Sequence, residues 1–128
     1  GRSLGSAPAI HLAATRSNAL AGLILDSPYA DGLVLIRRLD GPSIRRQDLP
    51  GFEDNLDKMR RCKLPTLIIH GTVDHIIPLA DAQALYDACA GADKELVKMA
   101  GAGHNNLFSV GLDEYTAKLK EHIARMTA

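Results

Sequence analysis

An α/β fold, a parallel sheet with helices packed on it, is predicted by three features of the sequence. Three short runs with an apolar core, AGLIL (21–25), LPTLIIH (64–70) and ELVKM (95–99), each stop at turn-forming residues. Helix-like stretches separate them, the alternation that builds parallel strands. Ahead of all three stands GRSLGS (1–6), a G-x-S-x-G pattern in which a strand turns sharply into a helix and presents the hydroxyl of Ser3. Side chains at Gly1 or Gly5 are expected to collide with neighbouring backbone in such a turn.

Taken in order, residues 7–15 are Ala-rich, with Pro8 tolerated in the first turn, and read as the helix leaving that turn. Its amino end lies beside Ser3, so the amide of Leu4 is the natural first donor to a developing oxyanion. His11, two turns along, reads as an ordinary helix residue. The run at 21–25 has the continuous apolar character of a strand covered on both faces, and Asp26 sits at its carboxyl end, where ligand sites of open α/β sheets occur.

Residues 31–63 are the least regular. Pro42 and Pro50 divide a GLVLIRRL helix-like piece from FEDNLDKMRRC, in which Phe52, Leu56 and Met59 share a face. This segment is a short connection or a cap over a substrate pocket. The strand at 64–70 follows and stops at Gly71, which places Asp74 in the loop just beyond it. His70 reads as structural and His75 as solvent-facing. Pro78 then starts a helix and Gly91 ends it, with Leu79, Ala82, Leu85 and Cys89 at helical spacing. The mixed run at 95–99 suits a strand nearer the sheet edge and leads into Gly101, Ala102, Gly103 and His104. Residues 112–126 close the chain as an amphipathic helix with Leu112, Tyr115, Leu119, Ile123 and Met126 on its apolar face.

Bulk properties narrow the function. With 15 basic and 15 acidic residues, 46% hydrophobic and 23% charged, the chain has the composition of one globular domain and no field favouring nucleic acid or an anionic membrane. No apolar run is long enough to span a bilayer. Cys62 and Cys89 form no disulfide framework or metal knuckle, which favours a reducing, cytoplasmic setting. The sequence lacks HExxH, paired CxxC and a phosphate-binding glycine loop, so neither a metal nor a nucleotide cofactor is expected.

The serine, an acid and a histidine then fall at successive strand ends. Ser3 is a poor nucleophile at neutral pH unless a neutral imidazole takes its proton, the role open to His104. Asp74 is placed to fix the imidazole tautomer and to stabilise the imidazolium, with Asp26 the runner-up acid. The order Ser, Asp, His at such positions is that of the α/β-hydrolase triad.

GRSLGS, LILDSPY, DNLDKMRRCKLPTLIIHGTVDHIIP and GAGHNNL together resemble the carboxyl-terminal half of a serine α/β-hydrolase, in the branch that includes bacterial serine-aminopeptidase-like hydrolases and protein depalmitoylases. The resemblance covers essentially the whole chain. It implies Ser3 as nucleophile, Asp74 as acid, His104 as base and no cofactor. A serine at the turn points to acyl transfer to water rather than dehalogenase or epoxide hydrolase chemistry, which in this fold uses an aspartate there. The expected substrate is a small carboxylic ester, a thioester or an amide, with peptidase and depalmitoylating thioesterase activities as alternatives and a non-catalytic binding domain as the rival from another class. Tyr29, Ile76 and Asn105 are candidate pocket residues. The resemblance also implies a partial domain whose amino-terminal half, with the elbow strand, most of the sheet and the second oxyanion donor, is missing. Residues 1–128 alone are therefore expected to be nearly inactive and prone to self-association.

Overall fold

The computed structural model describes residues 1–40, 43, 45–48 and 54–128. Among them is a parallel three-stranded sheet in the order β1 (Leu23–Asp26), β2 (Thr66–Gly71), β3 (Lys94–Met99). Its register pairs Leu25 with Ile68 and Ile68 with Leu96. Helices α1 (Ser6–Thr15), α2 (Gly32–Asp40), α3 (Asn55–Met59), α4 (Leu79–Ala88) and α5 (Leu107–Thr127) connect or follow the strands. Phe52, Pro42 and Pro50 lie outside the described residues.

The alternation of β2 explains the layering, because successive strand side chains point to opposite faces. Ile68 packs with Ile10 and Ala13 of α1, Met59 of α3, and Ala82 and Leu85 of α4. Its neighbours Leu67 and Ile69 turn the other way and pack with Val97, Met99, Leu107 and Tyr115 under α5. All six residues of β2 are buried, as a central parallel strand requires. In β3 only Val97 and Met99 are buried, which fits its edge position.

Several local signals decide where elements begin. The carboxylate of Asp54 accepts the amide of Asp57 at 2.9 Å and caps α3. Pro78 is the N-cap of α4, one position ahead of the helix, and Cys89 rather than Gly91 marks its end. Cys62 and Cys89 are free and buried, grouped around the hydroxyl of Thr66. A hydrogen bond with Cys89, reinforced by burial, holds the Cys62 thiol well above its ordinary range.

Three expectations need correction. First, α5 begins five residues early, at Leu107, and runs through a break in helical dihedrals at Gly111 (φ −148°, ψ 49°). The buried Leu107 anchors that first turn in the core. Second, its inward face carries Tyr115, Leu119 and His122, whereas Leu112 is 49% and Ile123 45% exposed. His122 takes the buried place next to Ile123. Its imidazole is held below its ordinary range by burial and then by Arg125. Third, a Cβ at Gly1 would meet the carbonyl of Gly5 and the side chain of Ala9, but one at Gly5 would meet nothing within 4 Å. Of these two elbow glycines, only Gly1 is restricted by space.

Candidate active site

Gly1 and Arg2 run beside β1. The amide of Asp26 donates to the carbonyl of Gly1 at 2.9 Å, and Arg2 forms a parallel bridge with Asp26. The chain then turns at Ser3, whose φ of 51° is left-handed and strained for a residue with a Cβ. A short 3-10 turn, Ser3–Gly5, runs straight into α1. The hydroxyl of Ser6 donates to the carbonyl of Ser3 at 2.6 Å and braces the turn.

The structure brings Ser3, His104 and Asp74 into one hydrogen-bonded chain. Ser3 Oγ lies 2.9 Å from His104 Nε2, and His104 Nδ1 lies 2.8 Å from Asp74 Oδ2. The other carboxylate oxygen, Oδ1, accepts the amides of Ile76 and Ile77 at 2.9 and 2.8 Å. A carboxylate only accepts, so Nδ1 carries the imidazole proton and Nε2 presents its lone pair to the serine hydroxyl. The side chain of Asp74 is fully buried and that of His104 nearly so, while Ser3 is half-buried. Water can reach the serine and is excluded from the acid.

The loops that carry the acid and the base support each other through backbone. Thr72 and Val73 donate to the carbonyls of Met99 and Ala102 at 3.1 and 3.0 Å, and the Thr72 hydroxyl accepts the amide of Gly101 at 2.9 Å. Gly71 rests against the carbonyl of Ala102 so closely that a Cβ there has no space. Asn106 Oδ1 accepts the amide of Gly103 at 2.6 Å and fixes the turn that carries His104.

Asp26, the runner-up acid, is buried but hydrogen-bonded elsewhere. Ser27 Oγ donates to Oδ1 at 2.7 Å and the Tyr115 hydroxyl to Oδ2 at 2.8 Å. Burial, and then the Asp26 carboxylate, push the Tyr115 phenol up to about 12. Arg2 Nε lies 3.7 Å from the same oxygen, and Arg2 Nη2 donates to the carbonyl of His104 at 2.6 Å. Sequence reasoning passed over Arg2, although its place inside GRSLGS, directly before the serine, is a signal for contact with the histidine loop.

Leu4 follows Ser3 in the 3-10 turn with its side chain 67% exposed. Ile76 is exposed and gives its amide to Asp74, and Asn105 is exposed beside His104. Tyr29 is buried with Leu35 and Ile77, its carbonyl accepting Asn55 Nδ2 at 2.8 Å. An apolar concavity of about 290 Å³ lies away from these side chains, lined by residues that include Leu12, Leu20, Ile24 and Met126 beside β1. His11 and His75 face solvent. Among the described residues no group of three or more His, Cys, Asp or Glu side chains is arranged to hold a metal ion. No helix among them is long and apolar enough to cross a membrane.

Comparison with known proteins adds the family context. Residues 30–109, which include Asp74 and His104, match the family model described as serine aminopeptidase, S33. The chain is 33% identical over 125 residues to alpha/beta hydrolase domain-containing protein 17B of Xenopus laevis and 32% identical to the protein of the same name from Homo sapiens. In both cases the match covers 98% of this chain and 40% of the relative, so the chain spans less than half the length of the curated relatives it matches. Among solved structures, Est1E from Butyrivibrio proteoclasticus superposes with a TM-score of 0.79 at 20% identity, over 99% of this chain and 59% of that one. The Pyrococcus furiosus esterase Pf2001 gives 0.78 at 19% identity, over 96% and 51%. At such identities the likeness speaks for the fold.

Proposed function

Since the chain belongs to the α/β-hydrolase family described as serine aminopeptidase, S33, we propose that the whole protein is a serine hydrolase working through an acyl-serine intermediate. The observation that carries this reading is the hydrogen-bonded chain from Ser3 through His104 to Asp74. Ser3 Oγ attacks the acyl carbon while His104 Nε2 takes its proton, and Asp74 stabilises the imidazolium that results. The tetrahedral oxyanion accepts from the amide of Leu4, at the amino end of the turn leading into α1. His104 then gives the proton to the leaving oxygen, sulfur or nitrogen. A water activated by the same nitrogen releases the acid and restores the serine.

The bond broken is a carboxylic ester, thioester or amide. The Pyrococcus furiosus fold neighbour Pf2001 is named an esterase and the family model is named for an aminopeptidase; one acyl-serine mechanism serves all three bonds. The direct test is labelling of the full-length protein by a fluorophosphonate, with Ser3→Ala as control. Labelling of the parent and none of the variant is the expected result, and a full-length protein that never labels ends the proposal. Esters of graded acyl length, matching thioesters and aminoacyl amides then define the substrate.

A further inference from the structure

One buried group beside the acid has no part in the mechanism above. His70, in β2, is fully buried, with Nε2 2.8 Å from the carbonyl oxygen of Ile77 and 3.4 Å from Asp74 Oδ2. Its Nδ1 is buried without a hydrogen-bond partner. Both groups facing Nε2 are acceptors, so Nε2 carries a proton. A second proton on Nδ1 would put a charged, unpaired N–H in the interior, which costs far more than an unpaired lone pair. His70 is therefore a neutral donor.

The same contacts close a small ring. The amide of Ile77 donates to Asp74 Oδ1, and the carbonyl of Ile77 accepts from His70. His70 thus holds the turn that holds one carboxylate oxygen, while approaching the other oxygen itself. We propose that His70 is a positioning residue for the acid: its Nε2–H holds the Ile77 turn whose amide holds the Asp74 carboxylate, and its ring lies against the other carboxylate oxygen, and so it sets the orientation and basicity of His104. This rests on the acyl-serine reading for its catalytic consequence and on geometry alone for its effect on His104. Lys98, on β3, is the register partner of His70, the solvent-facing His75 follows Asp74 in the chain, and Arg2, which pairs with Asp26, donates to the His104 carbonyl.

The test uses the full-length protein and the variants His70→Phe, which removes the donor at similar bulk, and His70→Gln, which can present an N–H at a similar reach. In His70→Phe, kcat is expected to fall roughly ten- to a hundredfold with KM little changed, as for misplaced catalytic groups. The acidic limb of the kcat/KM profile should move to higher pH, because an Asp74 carboxylate without the Nε2–H dipole beside Oδ2 and with a looser Ile77 turn stabilises the His104 imidazolium more strongly. His70→Gln should restore most of the rate. Nitrogen-15 spectra of the imidazoles give a readout free of turnover: His70 should show the Nε2–H tautomer, and the His104 midpoint should rise in His70→Phe. A His104 midpoint that is unmoved or lower, or a glutamine variant as impaired as phenylalanine, overturns the assignment. If the parent neither labels nor turns over, the acyl-serine reading fails, while the His104 titration still decides whether His70 acts on the acid.

Discussion

Two carboxylates stand at the same rim, Asp26 at the end of β1 and Asp74 just past β2, and they are almost equally buried at 6% and 7% exposed. Their donors differ. Asp74 takes two amides from its own turn on one oxygen, which leaves the other for the His104 imidazole. Asp26 takes side chains from three parts of the chain: Ser27 beside it, Tyr115 of α5 and, at longer range, Arg2 of the elbow. Backbone amides orient a carboxylate while leaving an oxygen available, whereas side-chain donors turn it into a joint between elements. Burial and strand-end position alone do not separate the two roles.

The largest expected effect that can break this contrast is on turnover. Asp74→Asn should lower kcat by about four orders of magnitude, as loss of the correct imidazole tautomer does in serine hydrolases, while Asp26→Asn should leave the rate within about tenfold, the two being ten-thousandfold and tenfold effects on one assay. Rates measured side by side on the full-length protein check it, and a reversed ranking would exchange the two assignments.

Stability should show the opposite bias. Tyr115→Phe removes a donor to a buried carboxylate and should cost about 1–3 kcal/mol in urea unfolding. It should also change the response to alkali. The folded-state phenol is raised to about 12 from an ordinary value near 10, so its contribution is fully present below pH 10 and is lost as pH rises through 12. Unfolding curves across that window should therefore fall more steeply for the parent than for the phenylalanine variant. Parallel curves would mean that the phenol does not sense Asp26.

The smallest effect belongs to Arg2, whose side chain is 51% exposed and whose ion pair with Asp26 is long. Arg2→Ala should cost no more than about 1 kcal/mol of stability. Its loss of contact with the His104 carbonyl should appear as a few-fold drop in kcat, by the same positional sensitivity on a smaller scale. A larger loss of stability than in Tyr115→Phe would make Arg2, not Tyr115, the main partner of Asp26.

Much of this arrangement is legible in the sequence because turn residues mark strand ends. Gly71 locates Asp74, and Gly101 with Gly103 locates His104, whatever the uncertainty in where each strand starts. β1 illustrates that uncertainty, beginning at Leu23 although the apolar run begins at Ala21. Periodicity is less informative in α5, where Gly111 hides a helical first turn and the buried His122 sits where an apolar pattern selects Ile123. The partners of Asp26 were out of reach because Tyr115 is 89 residues away and Arg2 acts through long-range geometry. His70 looks structural in sequence for a sound reason: only the fold shows that its one donor goes to the carbonyl of Ile77, the residue whose amide holds the acid, with the other carboxylate oxygen 3.4 Å away.

The close seat of Gly71 on the Ala102 carbonyl has a consequence for anyone redesigning this scaffold. The two segments it joins behave as a single mechanical part, coupled main chain to main chain. Loop grafting that lengthens either one will displace both, and no choice of side chains nearby can absorb the mismatch. Variation in loop length is better placed in the segment between β1 and β2, which enters neither partner of that seat.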